Sequence, residues 1–196
     1  MFKRVGRDIK DIEAKADEFI NSTSDKEVNS DNEVKMAFKI PKLTRKNIKK
    51  MIAGTIFLNK YYPMILKKDL DGFSDEDIMN IYREARMQNI SMRDYVRIKL
   101  KLMKPNEIEF ISYPTERDLT IEFISLNKTD KELITQRAKN LNAPMMFYGC
   151  VKMMAHCELA LSKLFNQIEL ELLKEEAKKS NLSLKEYLSK KINEEL

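Results

Sequence analysis

Ala177-Lys-Lys-Ser-Asn181-Leu-Ser183-Leu184-Lys-Glu186-Tyr187 is the stretch on which the fold turns, because the chain carries its pattern three times. The other copies read Ala85-Arg-Met-Gln-Asn89-Ile-Ser91-Met92-Arg-Asp94-Tyr95 and Ala138-Lys-Asn-Leu-Asn142-Ala-Pro144-Met145-Met-Phe-Tyr148. All three follow Ala-Lys/Arg-x-x-Asn-x-Ser/Pro-Met/Leu-x-x-Tyr. Three matches to one pattern identify a repeated unit.

Each position of the pattern has a physical task. The Ala ends an amphipathic helix where a close crossing admits only a small side chain. The Asn stands where that helix stops, because Asn adopts the left-handed backbone of a C-cap more readily than most non-Gly residues. Ser91 and Ser183 then cap a second helix, with Asp94 and Glu186 completing a capping box. Pro144 replaces the serine in the middle copy, and proline suits a first helical turn. The Met or Leu and the Tyr three residues later begin the second helix's buried face. Each copy is predicted to be a helix–tight turn–helix hairpin.

Composition narrows the class. Four Gly and five Pro in 196 residues leave few long loops, which favours helix. No apolar run is long enough for a membrane span. No apolar stretch follows Met1-Phe-Lys-Arg, so no signal peptide is expected. Two Cys without an extracellular framework point to a reducing cytoplasm. The formal net charge is +5, but its distribution is uneven. Val34 to Lys68 holds ten basic residues and no acid, and a single-signed block of that length suggests a polyanionic partner.

Along the chain, residues 1–33 read as an amphipathic helix (Gly6 to Ile20) and a polar, flexible linker. Residues 34–104 form a basic half. It opens on Val34-Lys-Met-Ala-Phe-Lys-Ile40, which alternates strictly, with Lys35, Ala37 and Lys39 on one face. Arg45, Lys46, Lys49 and Lys50 make a basic face on the helix from about Thr44, and Asn59–Pro63 reads as a break. Ser74-Asp-Glu-Asp77 caps the next helix. Arg93 and Arg97 lie on the outer side of the helix that begins after Ser91. Lys104-Pro105 is the expected boundary to a helical half, residues 105–196, serving oligomerisation or partner binding. There Ile108-Glu-Phe-Ile-Ser112 and Ile121-Glu-Phe-Ile-Ser125 repeat one strand-like phrase, able to pair as a hairpin or with a partner chain. Thr129–Glu132 is expected to cap a helix, and Met145 to Phe165 to form one long core helix.

Asn89-Ile-Ser-Met-Arg-Asp-Tyr95 and Asn181-Leu-Ser-Leu-Lys-Glu-Tyr187 resemble the ribbon-helix-helix superfamily, whose bacterial members include repressors, antitoxins and plasmid partition and mobilisation proteins. The resemblance covers about half the chain, in short degenerate pieces. It implies a strand ribbon that enters the DNA major groove, read by outward strand side chains, with helix ends on phosphate. The family's unit is a strand directly followed by two helices, and only Leu119–Leu126 precedes a motif copy in that order. The faces of that strand, Leu119/Ile121/Phe123 and Thr120/Glu122/Ile124, offer a glutamate to the groove, so DNA contact is expected in the first half.

The expected fold is therefore mainly α with short β-strands, its helix–turn–helix hairpins resembling tandem ribbon-helix-helix units. The expected function is sequence-specific binding of double-stranded DNA, as a plasmid- or phage-borne partition, mobilisation or regulatory factor. Its expected DNA-binding residues are Lys35, Ala37, Lys39, Arg45, Lys46, Lys49, Lys50, Arg93 and Arg97. A cytoplasmic homodimer is expected, through strand pairing or the Met145–Phe165 helix. A protein partner could sit on the N-terminal helix or the C-terminal half. The alternative is a helical scaffold that binds another protein through its C-terminal half. No catalytic residues, cofactor or metal are expected: the lone His156 between Cys150 and Cys157 lacks metal-ligand spacing, and no nucleophile–base pair or Gly-rich phosphate loop occurs.

Overall fold

The alternation of Val34–Ile40 does become a strand, and its pairing partner lies far along the chain. The computed structural model describes residues 33–194. In chain order it contains β1 (Glu33–Pro41), α1 (Lys42–Ile52), α2 (Leu58–Lys67), α3 (Asp75–Met87) and α4 (Met92–Lys99), then β2 (Leu119–Asn127), α5 (Lys128–Asn140), α6 (Met145–Glu158), α7 (Leu161–Leu164), α8 (Gln167–Lys179) and α9 (Leu184–Asn193). The described residues are thus mainly helical, around one antiparallel two-stranded sheet in which β1 pairs with β2. Its register runs from Glu33–Asn127 to Pro41–Leu119 through the central pair Ala37–Phe123.

Strand followed by helix hairpin therefore occurs twice, and the register of the two strands is symmetric about its central pair. Counting from the first residue of each strand, Ala37 corresponds to Phe123, so the central pair is its own symmetry mate. Buried Ile48 and Ile52 of α1 correspond in the same way to buried Ile134 and Ala138 of α5. A second relation links the remaining hairpins, counted from the N-caps Ser74 and Asn166. Asp77, Ile81, Ala85, Asn89, Ser91 and Tyr95 correspond in order to Glu169, Leu173, Ala177, Asn181, Ser183 and Tyr187.

All three repeated turns have the same geometry. Asn89, Asn142 and Asn181 adopt left-handed φ of 55°, 50° and 54°. The alanine carbonyls of residues 85, 138 and 177 accept the N–H of Ile90, Ala143 and Leu182, each at 3.0 Å. That bond spans the last helical turn and satisfies a carbonyl otherwise left open. Ala85, Ala138 and Ala177 are buried, as are Tyr95, Tyr148 and Tyr187. Ser74 and Ser183 head complete capping boxes, whereas Ser91 caps through its hydroxyl, which accepts the Asp94 N–H at 3.0 Å.

Two cores result. The first lies beneath the ribbon and gathers Met36, Phe38, Ile40, Ile48, Tyr62, Leu66, Ile124, Leu126 and Ile134. The second packs α3 and α4 against α8 and α9, with Ile78, Ile81, Val96, Leu173 and Leu188 at its centre. Helix α6 serves both. Tyr148 and Met153 enter the first core, while Val151, Met154 and Ala155 enter the second. Gly149 brings α6 onto β1, where a Cβ on it would stand 3.5 Å from the Phe38 Cβ.

Where the cores meet, buried Lys152 pairs with Asp75. The Tyr148 hydroxyl donates to Asp75 at 2.9 Å, and Arg137 spans Asp75 at 3.3 Å and Asp69 at 2.8 Å. Burial pulls the Lys152 ammonium below its usual range despite the Asp75 carboxylate.

Several expectations are corrected. Asn59–Pro63 is no break: the chain turns earlier, at left-handed Ala53 and Gly54, and buried Pro63 sits inside α2. The predicted Met145–Phe165 helix ends at Glu158, whose carboxylate accepts the Met92 N–H at 3.0 Å and so holds the start of α4. Asn127, not Thr129, caps α5, and Asn166 with Glu169 forms a capping box at α8. Ile108–Ser112 is not a strand. Its Ile111 N–H donates to the Asn89 carbonyl at 2.7 Å, and the Tyr113 hydroxyl donates to the Ile90 carbonyl at 2.8 Å. Since β1 and β2 come from opposite sides of Lys104–Pro105, that point divides neither the sheet nor the cores. The hairpin offered by the two Ile-Glu-Phe-Ile-Ser runs does not form, and β2 pairs with β1 instead. The N-terminal helix and most of the linker lie outside the described residues.

Candidate nucleic-acid interface

The alternation of the two strands leaves one face of the ribbon to solvent. Met36, Phe38, Ile40, Ile124 and Leu126 point into the core. Opposite them stand Lys35, Ala37 and Lys39 on β1 and Ile121, Phe123 and Ser125 on β2. The cross-strand pairs are Lys35–Ser125, Ala37–Phe123 and Lys39–Ile121. Ile121 and Phe123 are 52% and 57% exposed, high values for large apolar side chains on a sheet. A ribbon of two strands fits the width of a DNA major groove, and side chains of these types match base edges and thymine methyls there.

Two helix starts flank this face. Phe57, Leu58 and Asn59 at the beginning of α2 share a hollow with Phe123 and Lys49. Pro144 and Met146 at the beginning of α6 share another with Lys39 and Leu119. Neither Phe57 nor Pro144 supplies a side-chain cap, so first-turn N–H groups of both helices are left without a side-chain acceptor from that position.

The expected cations fall into three groups. Lys35 and Lys39 stand on the ribbon's outward face, with Lys39 also 2.7 Å from the exposed Glu116 carboxylate. Lys46, Lys49 and Lys50 are exposed on α1, behind the β1 end of the ribbon. Arg45 turns inward instead and pairs with Glu122, which β2 points beneath the ribbon beside Tyr62. The glutamate expected to face the groove is therefore off the ribbon's outward face, and with Arg45 it lines the hollow at the start of α2. Burial, with that glutamate next, pushes the Tyr62 hydroxyl up to about 12.

Arg93 is exposed at the start of α4, whose first backbone N–H groups meet the Glu158 carboxylate at the end of α6. Arg97 is engaged within the fold. Its guanidinium grips Glu169 at 2.7 and 3.1 Å and the Leu164 carbonyl at 2.8 Å, joining α4 to α8. The Arg97 hydrogen bonds hold the Glu169 carboxyl below its usual range.

Ile121, Phe123 and Ser125 share this face but are not among the expected DNA-binding residues. Leu119–Leu126 is apolar on both faces, so alternation alone could not assign its phase. The usable signal was Leu126, which continues the Ile124 face straight to the Asn127 cap.

The remaining chemistry is sparse. Cys150 and Cys157 are free, and burial pushes both thiols up to about 11. The His156 Nε2 lies 3.0 Å from the Tyr61 hydroxyl, and burial lowers the imidazole's affinity for a second proton. Among the described residues no three His, Cys, Asp or Glu side chains group as metal ligands, and no helix is long and apolar enough to cross a membrane. Comparison with protein-family models, with curated proteins and with solved structures finds no match to this chain.

Proposed function

We propose that this protein binds double-stranded DNA through the β1–β2 ribbon, as a single-chain counterpart of a ribbon-helix-helix dimer. The observation that carries the reading is the outward face formed by Lys35, Ala37, Lys39, Ile121, Phe123 and Ser125, backed on each strand by a helix hairpin. Two helix starts without side-chain caps beside that face suit phosphate oxygens, and Lys46, Lys49 and Lys50 add cations on one side. In this reading the strand residues select sequence, and the helix cations set affinity. A plasmid- or phage-borne partition, mobilisation or regulatory factor is the class of protein such a site would serve.

Wild-type protein titrated against labelled duplex at several salt concentrations tests the reading. Affinity should fall steeply, with a log–log slope of about −3 or steeper if three or more phosphates are neutralised. No binding at about 50 mM salt would reject it. The alternative, a protein-binding scaffold, has one observation of its own: Ile168 and Leu172 are 71% and 55% exposed, one turn apart on α8. Failure of DNA binding would direct attention to that face.

A further inference from the structure

A ribbon formed by two identical chains presents the same side chain to both DNA strands, because its two-fold coincides with that of the duplex. Here the symmetric register relates different residues. Counting from the strand starts, Lys35, Ala37 and Lys39 correspond to Ile121, Phe123 and Ser125. At the centre, a phenylalanine ring 57% exposed stands opposite a single alanine methyl.

The helices behind the strands are also unmatched. Exposed Lys46, Lys49 and Lys50 of α1 correspond to Glu132, Thr135 and Gln136 of α5. Helix α5 has cations of its own, Lys128, Lys131, Arg137 and Lys139, but Asp130 and Glu132 stand among them, whereas α1 has no acid. At the second helix starts, counted from Phe57 and Pro144, exposed Lys60 corresponds to Phe147. The positive charge is therefore denser on the flank of α1 and α2.

Resting on the DNA-binding reading above, we propose that the target duplex is asymmetric. Phe123 contacts thymine methyls on one DNA strand only, and the stronger phosphate grip falls on the flank of α1 and α2. Apolar contact with the thymine C5-methyl is the base-edge chemistry open to a phenylalanine, and a lysine at each end of the ribbon suits guanine O6 and N7. The deduced site is a thymine-bearing centre, on one strand, between guanine-bearing ends.

The test begins with enrichment of a duplex pool randomised over about 20 base pairs, or about two helical turns. Uracil is then placed for central thymines of the enriched duplex, in one strand at a time, and binding is followed by fluorescence anisotropy. Loss of a single contacted methyl should weaken binding about three- to five-fold on the strand facing Phe123 and leave the other within about two-fold. In the Phe123→Ala protein the two strands should respond alike. Phosphate ethylation should interfere more on one flank than on the other. A palindromic motif, a centre without thymine, or equal responses of both strands to uracil would overturn the asymmetry while leaving DNA binding intact. No enrichment at about 50 mM salt would instead remove the DNA-binding reading and this proposal together.

Discussion

The helices behind the ribbon and those remote from it begin in different ways. In α3, α4, α8 and α9, the side chains of Ser74, Ser91, Asn166 and Ser183 each accept a first-turn N–H. In α1, α2 and α6, Pro41, Phe57 and Pro144 offer no such acceptor. A side-chain cap contributes about 1 kcal/mol, which the remote hairpins have and three of the four ribbon helices lack. The contrast extends to Arg97 and the lysines of α1. The Arg97–Glu169 pair closes α4 onto α8, whereas Lys46, Lys49 and Lys50 line one exposed face of α1. One group of helices caps its own first turns; the other lacks such caps and carries the exposed lysines of α1.

The largest effect should come from the joint between the two cores. Asp75→Ala leaves Lys152, only 3% exposed, without its carboxylate. That variant should lose about 3 kcal/mol or more in urea unfolding. Lys152→Met, which removes the charge and keeps the volume, should cost about 1 kcal/mol or less. Equal losses would mean the pair does not join the cores.

A second contrast sets Arg97 against Lys49. Arg97→Ala should lower stability by about 2 kcal/mol through its lost charged hydrogen bonds and leave the salt slope of DNA binding unchanged. Lys49→Ala should do the reverse, with stability within about 0.5 kcal/mol and a slope smaller by about one. If Arg97→Ala changes the slope while the fold survives, that contrast is wrong.

The repeated turn predicts a smaller difference. Asn181 sits at a φ of 54°. Asn181→Gly should therefore stay near wild type, while Asn181→Val loses about 1–2 kcal/mol. Identical melting temperatures for the two variants would exclude a left-handed backbone requirement there. Smallest of all is Glu116→Gln, which removes the exposed carboxylate beside Lys39. It should raise duplex affinity by less than about 1 kcal/mol, and only at low salt.

What was legible in the sequence was local chemistry. Asn89, Asn142 and Asn181 announce their turns because the left-handed cap is a property of one residue and its neighbours. Lys35, Ala37 and Lys39 share a face by alternation alone. Long-range choices were not legible. Nothing near Ala37 names Phe123 as its partner, and the same Ile-Glu-Phe-Ile-Ser phrase becomes β2 at residues 121–125 but packs onto the Asn89 turn at 108–112. Arg97 and Lys49 look alike in sequence; only the distant Glu169 separates a structural arginine from a surface lysine. Pro63 reads as a helix breaker, yet α2 buries it, because the turn had already been made by Ala53 and Gly54.

The ribbon's outward face is the central claim, and a comparison of Lys39→Ala with Lys49→Ala tests it most directly. Both proteins are titrated by fluorescence anisotropy on an enriched duplex and on its scrambled counterpart, at several salt concentrations. Lys39→Ala should lose about 1–3 kcal/mol on the enriched duplex and much less on the scrambled one, whereas Lys49→Ala should weaken both about equally. Equal, small losses from the two substitutions on both duplexes would contradict sequence reading by the ribbon.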